Sequence, residues 1–410
     1  MRRASQVVFG LLFLAVGIVG SFANQRDVVY KVVPRDQRQV DYLDGLLKND
    51  PSLDFWVFPV SPGTDVVIHI KEGQTKVFEQ MMEENDLTYS IAIHDLEPLL
   101  QKEKIQSRAG GFDASYHDID QIHREIKTLA SAHSDVASII NLGKSHEQRD
   151  MLAIKIKQGS GRKDLFFFNC GIHAREWISP ATCMYMIRKI LETRNNDADV
   201  QYMLSRFEWV ILPVLNVDGY QHTRTRSRMW RKTRKPYGSC YGADPNRNFN
   251  YRWAGVGTSS SKCSDIFTGS HGFSEIEAYN VGKYLYGRRK ELKGYIDFHA
   301  YSQLWMSPWG YTNSYPPQYA RQEKAMKAAV KALSAVHGTY YKYGPAAITI
   351  YPTTGDTTDW TFGVLGVVHS YCVELRPRSS NPGFILPPDK IIPVGQETLA
   401  GLKALTRNMT

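Results

Sequence analysis

The alternation of apolar and polar positions divides the chain near residue 108. After that point, apolar strand-like runs alternate with amphipathic helical stretches. The strand-like runs span 136–142, 151–156, 165–169, 209–215, 294–299 and 366–374. The helical stretches span 119–132, 181–193, 274–289 and 319–337. This order predicts that residues 109–410 form one α/β domain, a three-layer α/β/α arrangement around a mixed, largely parallel twisted sheet.

Residues 24–108 carry a different pattern. Strands are predicted at 28–33, 55–59, 66–70 and 88–93, and helices at 37–47 and 74–84. The resulting βαββαβ order predicts a small α+β open sandwich. A polar segment follows that contains Lys102, Lys104 and Arg108 and continues into Ala-Gly-Gly at 109–111. This segment predicts an exposed, protease-sensitive linker with cleavage after Arg108, although an ordinary interdomain linker would have the same composition.

The first 23 residues have the features of a signal peptide. Arg2 and Arg3 precede an apolar run at 7–19, and Ser-Phe-Ala at 21–23 offers a small-x-small cleavage site. The apolar run is too short to span a bilayer, so we expect a secreted protein without a stable membrane anchor. Export also permits disulfide bonds.

Five cysteines fit two local disulfides and one remaining thiol. Cys240 and Cys263 flank a Gly/Ser-rich loop, and Cys170 and Cys183 bracket a loop that follows an apolar strand. Cys372 lies in another strand-like run and is predicted to be a buried, inert thiol.

The charge distribution predicts that the two parts associate. Residues 24–108 hold 10 basic and 15 acidic residues, whereas residues 109–410 hold 38 and 26. Opposite net charges of −5 and +12 favour docking. The overall excess of +9 is spread along the chain and no nucleic-acid-binding motif is present, so we expect a solvated basic surface rather than a nucleic-acid partner.

The candidate chemistry begins after the apolar run 165–168. His173 and Glu176 lie three residues apart with Arg175 between them, and His299 ends a second apolar strand. A single His-x-x-Glu pair is common by chance, but two His and one Glu provide three ligands for zinc and leave the fourth position open for water. The pattern therefore favours hydrolysis at a metal.

Further motifs resemble one family. They are His173-x-x-Glu176, the basic run at 228–234, Asp244-Pro-Asn-Arg-Asn248, His299, Tyr351, Asp359-Trp360 and Glu374-Leu-Arg376. With these motifs the chain resembles the zinc metallocarboxypeptidases of the pancreatic procarboxypeptidase A/B type. The resemblance extends from the signal peptide to Lys403. The resemblance implies a zymogen: a signal peptide at 1–23, an inhibitory activation peptide at 24–108 and a catalytic domain at 109–410 that binds one Zn²⁺ through His173, Glu176 and His299.

The resemblance also implies roles for residues around the metal. Glu374 matches the general base that takes a proton from the attacking water, although it could instead be a buried salt-bridge partner of Arg376. Arg231 matches the residue that stabilises the oxyanion. Asp244 matches the carboxylate that orients the first His ligand.

Substrate contacts are implied in the same way. Arg247 and Asn246 match the anchor for the C-terminal carboxylate of the substrate. Arg175 resembles a residue that contacts the peptide upstream of the scissile bond. Tyr351 matches a tyrosine that folds over bound substrate. Tyr301 is a further expected substrate contact.

Selection of the C-terminal residue is open between two alternatives. Thr358 occupies the position where relatives that select Lys or Arg carry Asp and relatives that select apolar residues carry an apolar side chain. Ile350 and Phe384 could line an apolar pocket, which favours carboxypeptidase A-like specificity. Asp356 could instead reach a basic side chain and give B-like specificity, or could be a turn residue after Gly355.

The expected partners follow from this zymogen scheme. They are peptide C-termini as substrate, the chain's own activation peptide as inhibitor, and a trypsin-like protease that cleaves after Arg108; we expect a monomer. A secreted relative that binds peptides without catalysis would lack a ligand or the base, yet all four residues are present. An inhibitory or storage role of the uncleaved zymogen stays open and is tested by comparing activity before and after cleavage.

Overall fold

The computed structural model describes residues 26–106 and 111–409. The predicted signal peptide and the predicted cleavage site at Arg108 lie outside these ranges. Within them, no helix combines the length and apolar character needed to cross a membrane.

The N-terminal unit confirms the βαββαβ order. Its elements are β1 (Val28–Val33), α1 (Gln37–Asn49), β2 (Asp54–Val57), β3 (Val66–Ile70), α2 (Thr75–Glu84) and β4 (Thr88–Ile93). The strands form an antiparallel sheet in the order β2-β3-β1-β4. Leu43 of α1 and Phe78 of α2 pack with Tyr30 and Ile68 in a core that belongs mainly to this unit. Successive strand residues alternate between this core and the core of the second unit, which Val29 and Val67 join, so one face of the sheet receives the two helices and the other packs on the second unit.

The predicted linker is wrong in one respect. Residues Glu97–Gln106 form helix α3 rather than an exposed irregular segment. Lys102 and Lys104 are exposed, as predicted, but Glu103 between them is buried and binds Arg228 of the second unit. This helix has almost no amphipathic pattern, and it docks through Leu99 and Leu100, which pack against the main core, together with a long-range ion pair that local sequence does not reveal.

The second unit contains the remaining helices and strands. The strands are β5 (Ala137–Lys144), β6 (Asp150–Ile156), β7 (Asp164–Cys170), β8 (Phe207–Leu212), β9 (Pro236–Tyr237), β10 (Cys240–Tyr241), β11 (Leu292–Ala300), β12 (Leu304–Ser307), β13 (Lys342–Pro345) and β14 (His369–Leu375). The helices are α4 (Ile119–Ala132), α5 (Ile178–Thr193), α6 (Ala198–Arg206), α7 (Val217–Thr225), α8 (Ile276–Gly287), α9 (Tyr319–His337), α10 (Ala346–Thr349), α11 (Thr357–Gly363) and α12 (Ile391–Arg407).

Eight of these strands form one mixed sheet in the order β13-β12-β14-β11-β7-β8-β6-β5. The central strands β14, β11, β7 and β8 are parallel, and antiparallel pairing occurs between β12 and β14 and from β8 to β5. The surrounding helices cover the sheet, with α12 packed against α5 and α9. The predicted α/β/α fold around a mixed, largely parallel sheet is confirmed.

The parallel centre of the sheet positions the candidate site. Strands β7, β11 and β14 run in the same direction, so their carboxyl ends meet at one edge. In the register of β11 and β14, His299 lies opposite Glu374. The loop that contains His173 and Glu176 follows β7 directly. Residues that are more than a hundred positions apart in sequence are thereby brought together.

Two disulfides fasten loops near this edge. Cys170 at the end of β7 pairs with Cys183 in α5, and Cys240 pairs with Cys263, as predicted. Cys372 is a free thiol in β14, also as predicted, although it is half-buried rather than fully enclosed. Desolvation raises the pKa of Cys372 to about 12, so it stays protonated at neutral pH.

Candidate active site

His173, Glu176 and His299 form a buried cluster whose ligand atoms lie within 4.8 Å of one another. The two Nδ1 atoms are 3.1 Å apart, and Glu176 approaches His173 Nδ1 at 2.8 Å and His299 Nδ1 at 3.2 Å. Ligands at about 2.1 Å from a tetrahedral zinc ion would be about 3.4 Å apart. Two imidazole nitrogens and one carboxylate at these separations fit a zinc site with one open position.

Asp244 supports the first histidine of this cluster. Its Oδ1 atom lies 3.0 Å from His173 Nε2, which leaves Nδ1 to face the metal position. Its Oδ2 atom accepts hydrogen bonds from Arg231 at 2.8 and 3.1 Å. Burial opposes ionisation, but Arg231 and His173 hold the pKa of Asp244 well below its usual range. Asp244 is therefore a permanent negative charge that orients His173 and Arg231 together.

Glu374 lies beside the cluster and has an unused acceptor. The Oε2 atom is buried and has no hydrogen-bond partner, so it is free to accept a proton from a bound molecule. Burial raises the pKa of Glu374 to about 8. The negative charge of Glu176 also raises this pKa, whereas His299 and Arg231 lower it. The alternative ion pair with Arg376 is not formed, because Arg376 binds Glu397 instead.

Arg247 and Asn246 lie on a short 3-10 turn at the base of the site. The Nε and Nη1 atoms of Arg247 donate to backbone carbonyls, whereas its buried Nη2 has no partner. Asn246 accepts from the backbone N–H of Thr357. Gly355 has a φ of +73°, and a Cβ there would lie 2.4 Å from the carbonyl oxygen of Arg247. The close backbone approach places the loop before α11 against the candidate carboxylate anchor.

Asp356 and Thr358 flank the start of α11, and both are buried. Asp356 caps the helix through its Oδ1, which accepts from Asp359 N, while its Oδ2 has no partner. Burial raises the pKa of Asp356 to about 6, with Arg247 opposing the shift. Asp356 therefore has a local structural role at the turn into α11, as one of the two alternatives expected. Its Oδ2 atom is left without a hydrogen-bond partner.

The N-terminal unit covers the site. One cavity is lined by His173, Glu176, Arg231, Tyr301, Tyr351 and Glu374 together with Trp56, Val57 and Phe58 from β2 and the residue after it. Phe58 contacts Tyr351 with 5.2 Å between ring centroids, and Arg175 is buried beneath Asp54. Six predicted site residues of the second unit thus share one cavity, and the N-terminal unit lies over it.

Sequence reasoning missed one residue in this region, Asp297. It is fully buried two positions before His299 in β11, and its Oδ2 lies 2.9 Å from His299 Nε2. The available signal was an Asp inside an otherwise apolar strand. A buried Asp rarely occurs without a partner, so this position could have been marked before the structure was known.

The comparisons with known proteins agree with this geometry. The family profile described as zinc carboxypeptidase matches residues 122–401, and the one described as carboxypeptidase activation peptide matches residues 30–103. Zinc carboxypeptidase A 1 of Anopheles gambiae is 37% identical over 94% of this chain and 90% of its own length. Carboxypeptidase B of Astacus astacus is 42% identical over 71% of this chain and 96% of its own length.

Solved structures show the same architecture. Thrombin-activatable fibrinolysis inhibitor superposes with a TM-score of 0.86 at 28% identity, covering 94% of this chain and 99% of that one. Carboxypeptidase A of Helicoverpa armigera gives a TM-score of 0.85 at 26% identity, covering 94% and 98%. From the family profiles, these relatives and the cluster of two histidines and one glutamate, the chain belongs to the zinc carboxypeptidase family and carries that family's activation peptide.

Proposed function

We propose that this protein is a secreted zymogen whose catalytic domain removes single residues from peptide C-termini. The observation that carries the proposal is the convergence of a metal cluster, an unpaired buried glutamate and an unpaired buried guanidinium nitrogen in one region. An exopeptidase needs both a hydrolytic centre and a grip on the free C-terminal carboxylate. The site supplies candidates for each.

The reaction is assigned to residues as follows. When bound by His173, Glu176 and His299, zinc supplies Lewis acidity toward water and the scissile carbonyl. Glu374 accepts the proton of the attacking water at its Oε2 atom and returns it to the leaving amine. Glu374 performs this role in its ionised form, which a divalent cation held by His173, Glu176 and His299 would favour.

Arginine side chains hold the two oxygen groups of the substrate. Arg247 Nη2, with Asn246, binds the C-terminal carboxylate and thereby restricts cleavage to the last peptide bond. Arg231, held in place by Asp244, donates to the oxyanion that develops on the scissile carbonyl. Arg175 contacts the residue upstream. Tyr351, whose ring Phe58 of the activation peptide contacts in the uncleaved chain, closes over the substrate, and Tyr301, which packs against Phe384, is a further substrate contact.

The activation peptide is proposed to inhibit by occupying the substrate's route. Asp54 binds Arg175, and the Phe55 carbonyl oxygen accepts from the same guanidinium at 3.1 Å. A trypsin-like protease that cleaves after Arg108 would release this block. The leader at 1–23 and the two disulfides support export, and the enzyme is proposed to act as a monomer.

For the C-terminal residue we favour an apolar or aromatic side chain. Thr358 is uncharged and buried, and Asp356 is engaged as a helix cap with a raised pKa. B-like specificity remains the second candidate, because Asp356 Oδ2 is buried without a partner and a Lys or Arg side chain would supply one.

The test uses peptides that differ only in their C-terminal residue. They are incubated with protein cleaved at Arg108, with and without a zinc chelator, and products are identified by mass spectrometry. Chelator-sensitive loss of one residue from Phe, Tyr or Leu termini supports the A-like proposal. Preference for Lys or Arg assigns selection to Asp356, and trimming of no peptide by zinc-loaded protein rejects the enzyme in favour of a silent peptide-binding relative.

A further inference from the structure

Asp297 makes two contacts with its Oδ2 atom. This oxygen lies 2.9 Å from His299 Nε2 and accepts a hydrogen bond of 2.9 Å from Thr357 Oγ1. Alternation along β11 places Asp297 and His299 on the same side of the strand. The ring of His299 is therefore fixed between its metal-facing Nδ1 and a carboxylate.

The other oxygen of Asp297 is also fixed. Asn169, which is paired with Asp297 in the register of β7 and β11, donates from Nδ2 to Asp297 Oδ1 at 2.6 Å. Tyr295 donates in turn to Asn169 Oδ1 at 2.7 Å. Three strand residues and one helix residue thus determine the rotamer of a single buried carboxylate. A carboxylate is costly to bury, and a well-satisfied network such as this one holds its position tightly.

We propose that Asp297 is a positioning residue for the metal site: it holds His299 in the tautomer and orientation that direct Nδ1 at zinc. The inference rests on the proposed zinc centre. Asp244 makes the same kind of contact with His173, at 3.0 Å from Nε2. Each histidine ligand then has its own carboxylate, and each carboxylate is fixed by further donors. Metal-bound imidazoles depend on such partners, which raise ligand basicity and set ring orientation.

The network also joins the metal site to the substrate anchor. Thr357, which binds Asp297 through its hydroxyl, donates its backbone N–H to Asn246 Oδ1 at 2.9 Å. Thr357 lies between Asp356 and Thr358, the two candidates for C-terminal selection. Asp297 is thus shared between a metal ligand and the segment that receives the substrate's last residue.

The test measures zinc binding by the uncleaved full chain, independently of hydrolysis. Asp297→Asn keeps the shape of the side chain, and its single oxygen can still accept from Asn169, which places its N–H₂ against His299 Nε2. Thr357→Val is the matched control, because it removes the second bond to the same carboxylate oxygen and leaves His299 untouched. Asp244→Asn changes the corresponding carboxylate of His173, and its loss of zinc affinity is the reference for the size of the effect. Zinc affinity is measured by competition with a chelator, and the cobalt-substituted protein is examined by visible absorption.

We expect Asp297→Asn to weaken zinc binding by about 10–100-fold and to alter the cobalt spectrum, as the loss of a carboxylate partner does at other metal-bound histidines. Thr357→Val should weaken zinc binding clearly less than Asp297→Asn, because the bond from Asn169 to Asp297 and the contact of Asp297 with His299 both remain. Wild-type affinity and spectrum in Asp297→Asn would overturn the inference, as would an equal loss in Thr357→Val. If Asp297→Asn does not fold, Asp297→Ser is measured in the same way. Failure of the proposed function has a separate signature, namely zinc-loaded, cleaved wild-type protein that trims no peptide.

Discussion

Asp54 Oδ1 lies 2.5 Å from Nη1 of Arg175, which joins the activation peptide to a residue between two metal ligands. Arg175 is 1% exposed, and its guanidinium also contacts the ring of Phe384 at 4.4 Å from the centroid. Breaking a buried ion pair leaves an uncompensated charge and costs about 3–5 kcal/mol. Asp265 Oδ2 also lies 3.7 Å from Arg175 Nη1, so part of the charge stays compensated, and loss of the Asp54 contact should weaken docking of the activation peptide by less than this full cost.

Asp54→Asn should raise the activity of the uncleaved zymogen. The substitution removes the charge that pairs with Arg175 and weakens docking of the activation peptide. Activity is measured on a small C-terminal substrate before any cleavage. Asp41→Asn, on the exposed side of α1, is the control with the same change of charge and should leave the zymogen silent. If both variants are equally inactive before cleavage, the charge of Asp54 does not contribute to inhibition.

Stability of the zymogen should decrease at alkaline pH because of His69. Its ring is 2% exposed and lies between Asp27 Oδ2 at 3.1 Å and Asp54 Oδ2 at 3.0 Å. Burial alone would lower the pKa of His69, but the bonds to these two carboxylates outweigh it and raise the pKa to about 9. A raised pKa stabilises the folded state fully below about pH 6.5, and this contribution of about 3 kcal/mol is lost as pH rises through 9.

The measurement is the melting temperature of the uncleaved protein between pH 6 and pH 10. His69→Gln removes the titrating group and should melt at a lower temperature at pH 6, with a smaller further decrease toward pH 10. Parallel curves for the two proteins would show that another group causes the alkaline loss.

Glu374→Gln should retain zinc and peptide binding while turnover falls by at least about 10²–10⁴-fold, the range supplied by a positioned general base. The amide keeps the size of the side chain but cannot accept a proton at the position of Oε2. Zinc content, peptide affinity and turnover are measured on the cleaved enzyme. Near-normal turnover with full zinc content would exclude Glu374 as the base.

Asp356→Asn tests which residue selects the substrate. Asn is as good a helix cap as Asp, so α11 should remain folded. Under A-like specificity, cleavage of Phe and Leu termini stays near its wild-type rate. A selective loss of activity on Lys and Arg termini would transfer selection to Asp356. Thr358→Val is the companion variant. If the side chain at position 358 contacts the substrate, this variant should cleave peptides with apolar C-terminal residues faster than the wild type does.

The sequence predicted the elements that have a strong local pattern. Strands β1, β3 and β4 and helix α9 begin and end where the periodicity placed them, and the central sheet follows from the alternation of strands and helices. Helices α6, α7, α11 and α12 were missed. Helix α12 carries an apolar stripe at Ile391, Val394, Leu402 and Leu405, so its local pattern was sufficient to predict it.

The site was predictable to the extent that its residues are chemically rare in their local context. His173, Glu176 and His299 were found because ligand types follow apolar strands. Contacts between distant segments, such as Asp297 with Thr357 or Asp54 with Arg175, depend on side-chain geometry that no local pattern encodes. The burial of Glu103 in a polar helix was unpredictable for the same reason, because its ion-pair partner Arg228 lies 125 positions away in the sequence.

The pair of Glu103 and Arg228 should control access to the predicted activation site. Arg228 binds both carboxylate oxygens of Glu103 at 2.8 Å and also donates to the carbonyl oxygens of Arg175 and Phe384. Helix α3 is thereby fastened a few residues before Arg108. Local unfolding of the end of α3 would favour cleavage by a protease, and the rate would then follow the population of this open form.

Glu103→Gln should therefore accelerate cleavage after Arg108 by at least about tenfold, because loss of the charge weakens a buried bidentate ion pair by more than about 1.4 kcal/mol. The rate is followed by electrophoresis under limiting trypsin, and the new N-terminus is sequenced. Glu97→Gln changes an exposed glutamate of the same helix and should cleave at the wild-type rate. If both variants are cleaved as slowly as the wild type, opening is limited elsewhere, and the ion pair serves only to dock the activation peptide.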